Sequence, residues 1–98
     1  MRLRIAFTRP AKLDLDELIA RIGEENPRAA VMVATRIRER IRLLQEQPEI
    51  GRKGRRPDTR ELIVDRTHYI VAYRVNVAEA RVEILRILHS SRQWPEAL

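Results

Sequence analysis

Thr59-Arg-Glu-Leu-Ile-Val64, His68-Tyr-Ile-Val-Ala-Tyr-Arg-Val75 and Val82-Glu-Ile-Leu-Arg-Ile-Leu-His89 follow one another in the second half of the chain, separated only by Asp65-Arg-Thr67 and Asn76–Ala80. Runs rich in β-branched and aromatic residues, joined by short polar connections, predict three successive strands in an antiparallel meander. Val82–Leu88 carries apolar residues on both faces, as a strand does when each side is at least partly covered. Arg86 interrupts one of those faces. An arginine there is either paired in a cleft or emerging at a sheet edge. Tyr69 and Tyr73 share a face, and Tyr73 is assigned to the core.

Upstream lies Gly51-Arg-Lys-Gly-Arg-Arg-Pro-Asp-Thr59. Pro48, Gly51, Gly54 and Pro57 interrupt regular structure, so Pro48–Asp58 is expected to be a loop. Between residues 52 and 60 it carries five basic side chains, Arg52, Lys53, Arg55, Arg56 and Arg60, against the single acid Asp58. A guanidinium fork can grip a phosphate or a carboxylate through two hydrogen bonds, which makes these five residues, with Arg86, candidates for binding an anionic target. The glycines do not form a phosphate-binding P-loop, because they are too close together and no Gly-Lys-Ser/Thr follows. The net charge of +6 agrees with an anionic partner. Residues 1–50 hold ten basic and eight acidic side chains, whereas residues 51–98 hold ten and six, so the excess lies mainly in the second half.

In the first half, Leu3, Ile5 and Phe7 alternate with Arg2, Arg4 and Ala6, the period of a half-buried strand. Pro10 then suits the first turn of a helix. Leu15, Leu18, Ile19 and Ile22 form one apolar stripe, with Asp14, Asp16, Glu17 and Arg21 expected to face water and Gly23 expected to end the helix. Asn26-Pro27 opens a second helix whose period, through Ala30, Val33, Ala34, Ile37, Ile41 and Leu44, extends to Gln47-Pro48. The two should pack as an antiparallel hairpin on the sheet. Arg36 and Arg40, four apart on one exposed side, repel each other mildly and are candidate partner contacts; pairing with nearby acids is the alternative.

Other chemistries are restricted. Without cysteine there are no disulfides, thiolates or sulfur-ligated metals. The two imidazoles, His68 and His89, have no carboxylate at ligand spacing, so neither a metal nor another cofactor is expected. The first apolar run is too short for a secretory signal and nothing approaches a membrane span, so a single cytoplasmic domain over residues 1–98 is expected. His89 could act as a general acid or base with Arg60, Arg74 and Arg92 in RNA cleavage. Alternatively it caps its strand and bonds to the carboxy-terminal segment, with Trp94 as a hydrophobic lid. His68 is expected to be structural or solvent-facing.

The order of these features, a Gly-Arg loop, three strands and a tail Ile87-Leu-His-Ser-Ser-Arg-Gln-Trp-Pro95, resembles the RelE/ParE superfamily of bacterial toxins over essentially the whole length. The resemblance implies an α+β fold, β-α-α-β-β-β, with a helical hairpin on one face of a small, largely antiparallel sheet. It implies the toxin of a type II toxin-antitoxin, or plasmid stabilisation, module, neutralised by a cognate antitoxin and able to form a dimer or higher assembly. Arg36, Arg40, Arg74 and Trp94 would face that antitoxin. RelE-like members cut messenger RNA on the ribosome with sheet lysines and arginines plus a late tyrosine or histidine, whereas ParE-like members inhibit DNA gyrase by binding. Arg60-Glu-Leu-Ile-Val-Asp65 lacks the lysine pair, and Ile70 stands where the ribonuclease branch has arginine. Both departures argue against cleavage, and Tyr73-Arg-Val75 and Val82-Glu-Ile-Leu-Arg-Ile-Leu-His89 look closer to ParE. Ribosome-dependent cleavage and an inactive orphan module are the alternatives.

Overall fold

A computed structural model describes residues 2–98. Strand β1 (Arg4–Phe7) is followed by helices α1 (Arg9–Glu25) and α2 (Pro27–Leu43), then strands β2 (Arg52–Lys53), β3 (Arg60–Ile63), β4 (Tyr69–Asn76) and β5 (Arg81–His89). They form one sheet, ordered β1-β5-β4-β3-β2, in which only the β1–β5 pairing is parallel. The expected hairpin-on-sheet architecture is present. The difference is β2: Arg52 and Lys53, expected in a loop, pair with Glu61 and Arg60 and give the sheet a fifth strand.

Thr8 starts α1. Its backbone is extended, its hydroxyl oxygen accepts the Ala11 N–H at 3.2 Å, and Pro10 occupies the first turn. Gly23 does not end the helix. A methyl group at that position would lie 3.7 Å from Ala30 of α2, an ordinary contact, so nothing forces a break and α1 runs to Glu25. Asn26 then serves both helices: its N–H donates to the Ile22 carbonyl, and its side-chain oxygen accepts the Ala29 N–H at 3.1 Å. The second helix ends earlier than its apolar period, at Leu43, because Gln45 is diverted to the strand side. The Gln45 carbonyl accepts the Leu3 N–H at 2.8 Å, and its amide donates to the Leu3 carbonyl at 3.1 Å.

Between hairpin and sheet, Leu15, Leu18, Ile37 and Ile41 pack against Val71, Tyr73, Val82, Ile84 and Ile87. The spacing of the last two reflects a bulge. Ala72 lies opposite Arg86 while Tyr73 lies opposite Ile84, so Leu85 is an extra residue in β5 and the inward-facing phase shifts there. The bulge falls where β1 gives way to α1: Thr8 donates its N–H to the Ile84 carbonyl and its hydroxyl to the Leu85 carbonyl. The opposite face carries a second cluster, in which Ile70, Ala72 and Leu88 are covered by Trp94. This accounts for β5 being apolar on both sides. Among the described residues no helix is long and apolar enough to cross a membrane.

Candidate target and partner interface

The basic loop is organised around Glu61, whose side chain is only 3 % exposed. Arg52 Nη2 donates to Glu61 Oε1 at 2.9 Å, while Arg55 donates its Nε–H at 3.0 Å and its backbone N–H at 2.9 Å to Oε2. Burial pushes the Glu61 carboxyl up, but the hydrogen bonds from Arg55 and Arg52 outweigh it and hold the group below the usual carboxylate range. On its other side the Arg55 guanidinium lies 3.6 Å from the centre of the Trp94 ring. Asp58 is therefore not the only acid opposing the loop cations. Arg52 and Arg55 are engaged internally and stiffen the loop.

Tyr73 fixes the loop from beneath. Its hydroxyl donates to the Pro48 carbonyl at 2.6 Å and accepts the Gly51 N–H at 2.9 Å. A Cβ at position 51 would fall 2.5 Å from that hydroxyl, so only glycine fits. Of the remaining cations, Lys53 is exposed while Arg56 and Arg60 are half-buried. Lys53, Arg56, Arg60 and Arg74 line one cavity of about 590 Å³, with Asp58 the only acid in its wall. Arg60 donates to the Gly51 and Glu49 carbonyls, Arg56 donates to the Pro95 carbonyl, and Arg74 is paired with Glu83 at 2.6 Å. Lys53 has no ion pair among the described residues.

His89 and Arg92 lie elsewhere. They border a cavity of about 610 Å³ at the other end of β4 and β5, together with Arg21, Arg66, His68 and Tyr69. The His68 and His89 rings stack with centroids 5.4 Å apart, and Tyr69 meets His89 edge-on. Ser91 donates its N–H to His89 Nδ1 at 3.2 Å, and its hydroxyl lies 2.8 Å from the same nitrogen. Arg21 donates to the Tyr69 hydroxyl at 3.1 Å.

Arg86 is paired, on a strand that lies between β1 and β4. It forms two bonds to Asp14, at 2.7 and 2.9 Å, and Asp14 also accepts the Ile87 N–H at 2.9 Å, so this acid does not simply face water. The Asp14 hydrogen bonds hold the Arg86 guanidinium pKa above its ordinary value. On α2, Arg40 lies 3.9 Å from Asp65 and Arg36 is half-buried. Trp94, within the tail, is buried against Ile70, Ala72 and Leu88 and offers little surface to a partner. Sequence reasoning missed Glu61, Arg21 and Arg66. Glu61 sat in a strand otherwise read as apolar, and the Arg21–Tyr69 bond spans 48 residues with no local signal. Among the described residues no three His, Asp or Glu side chains converge as a metal site.

Residues 5–94 match the family described as the ParE toxin of the type II toxin-antitoxin system parDE. The chain is 41% identical over 97 residues, 99% of its length and 98% of the relative's, to a Sinorhizobium fredii protein named "Putative toxin Y4kP". Its fold is similar to the chromosomal ParDE system of P. aeruginosa (TM-score 0.80, 26% identity, covering 90% of this chain and 96% of the other). It is also similar to the RelBE2 toxin-antitoxin complex of Mycobacterium tuberculosis (TM-score 0.63, 26% identity, 91% and 99%). The isolated E. coli RelE toxin shares the fold alone (TM-score 0.70, 15% identity, 93% and 87%).

Proposed function

The chain belongs to the ParE toxin family of type II toxin-antitoxin systems, and from that premise we propose that it arrests growth by binding DNA gyrase, not by cutting RNA. The observation that carries this reading is the separation of the residues a ribonuclease would need. Arg60 and Arg74 line one cavity, and His89 and Arg92 line another. Arg60 pairs with Tyr73 and His89 with Tyr69, four residues apart along β4. At roughly 3.3 Å per residue along the strand and about 4.8 Å per strand across it, with β4 between them, the two backbone positions stand about 16 Å apart. General acid–base catalysis needs the proton-transfer group within hydrogen-bond reach of the same phosphate the cations stabilise. Binding has no such requirement. Lys53, Arg56 and Arg60, held on a stiff loop, suit recognition of an acidic surface.

A cognate antitoxin would neutralise the chain, as the partners named in the ParDE and RelBE2 structures imply. A stripe along α2 is a fitting surface, since exposed Met32 is followed at four-residue intervals by half-buried Arg36 and Arg40. An antitoxin segment of acidic and apolar side chains would match it, with Arg74 as a further contact.

The ribonuclease reading retains one specific support, the grouping of His89 with His68, Arg66 and Arg92. Pulse labelling separates the two. On induction without antitoxin, thymidine incorporation should fall before methionine incorporation does. An immediate collapse of methionine incorporation, with message cut at fixed codons, would favour cleavage.

A further inference from the structure

The cavity at the His68–His89 end of the sheet plays no part in the gyrase reading, yet its chemistry is specific. Arg21, Arg66 and Arg92 line it, with the Arg21 guanidinium donating to the Tyr69 hydroxyl, and no aspartate or glutamate does. None of the three makes an ion pair among the described residues, and the acid nearest in sequence, Asp65, lies instead beside Arg40. Like charges gathered around one cavity repel one another unless an anion sits among them.

His89 adds a donor. Because the Ser91 backbone N–H donates to Nδ1, that nitrogen is an acceptor, and the proton of the neutral ring resides on Nε2. An imidazole in this tautomer gives a hydrogen bond and cannot take a proton at Nε2. That suits recognition rather than general-base chemistry. Beside it, His68 offers a flat ring stacked at an interplanar angle of 27°. Ile22 and Val33 supply an apolar wall from the helices.

Three forks and an N–H exceed what the two oxygens of one carboxylate can accept. A phosphate monoester presents three oxygens and a charge of about −1.5 to −2. Planar rings and aliphatic side chains are also what a nucleobase packs against. The geometry points to a nucleotide-phosphate site at this cavity, with Arg21, Arg66 and Arg92 around the phosphate and the His68–His89 stack against the base. A free nucleotide and the 5′ end of a nucleic acid strand share this chemistry. The site is separate from the basic loop, and it is the same grouping that supports the ribonuclease reading.

The chain has only two histidines, so ring nitrogen–proton NMR spectra hold just two spin systems. The probes are adenosine 5′-monophosphate, a short oligonucleotide with and without a 5′-phosphate, inorganic phosphate, and an acidic peptide at matched ionic strength. His89 should report the Nε2-protonated tautomer, and both rings should shift saturably with the phosphate-bearing nucleotides. Arg92→Gln and Arg66→Gln should each weaken that binding about tenfold or more, the loss of one charge-assisted contact, while Arg38→Gln on α2 leaves it unchanged. Arg66 is exposed in a turn, so its replacement tests the site even where Arg21→Gln impairs folding. Equal affinity for monophosphate and phosphorylated oligonucleotide would identify a terminal phosphate as the ligand; preference for the oligonucleotide would identify a strand end. No saturable shift with any phosphate compound, tighter binding of the acidic peptide, or unchanged affinity in both arginine variants would overturn the proposal.

Discussion

Glu61 shows how much a single carboxylate can decide on a basic surface. It joins two arginines of the loop to strand β3, and one of those arginines to Trp94. Glu61→Gln keeps the shape and removes the charge. Because Arg52 and Arg55 are partly exposed and can return to water, the loss should be about 1–2 kcal/mol. Urea denaturation would measure it, and a change of only a few tenths would mean that the loop holds itself. Acid adds a second expectation. Hydrogen bonds from Arg74, then Arg81, hold Glu83 down to about 2, and Glu61 also lies below its ordinary 4.5. A carboxyl with a depressed folded pKa contributes stability that is complete above its unfolded value and is lost as pH falls through the folded one. The melting temperature should therefore drop between about pH 4.5 and 2, less steeply in Glu83→Gln. An equal slope in that variant would contradict the assignment. The loop's cationic character was plain in the sequence, but which cations are free was not. That depends on Glu61 reaching back six and nine residues across a turn.

Strand β5 was legible as an interior strand because apolar content on both faces is a local signal. Its bulge at Leu85 was not legible, since it is set by where β1 stops and Thr8 takes over the pairing. The same holds for Asp14: on a helical projection it belongs to the wet face, yet it meets Arg86 across 72 residues and satisfies the Ile87 N–H. Helix ends went wrong where a default rule met tertiary packing, at Gly23 beside Ala30 and at Gln45 tied to Leu3. The carboxy-terminal tail rests on one side chain. Trp94 covers Ile70, Ala72 and Leu88, so Trp94→Ala should cost about 3 kcal/mol and expose the second cluster. Thermal or urea unfolding would record this. A variant as stable as the parent would show that the tail contributes no packing.

For the molecule as a whole, the family follows from an ordered set of strands, loop and tail that the sequence displays openly, whereas the target depends on which side chains meet in space. The candidate set Arg60, Arg74, His89 and Arg92 was assembled along the chain, and the fold divides it between two ends of the sheet. A binding surface tolerates that division, whereas cleavage at His89 would have to draw its cations from Arg21, Arg66 and Arg92 and not from Arg60 and Arg74. The most direct test is purified chain added to DNA gyrase and relaxed plasmid, in parallel with translating ribosomes carrying a defined message. Supercoiling should stop and cleaved plasmid accumulate, His89→Gln should act like the parent wherever it is folded, the cognate antitoxin should restore supercoiling, and the message should stay intact. Normal supercoiling together with codon-specific cuts that vanish in folded His89→Gln would contradict the account.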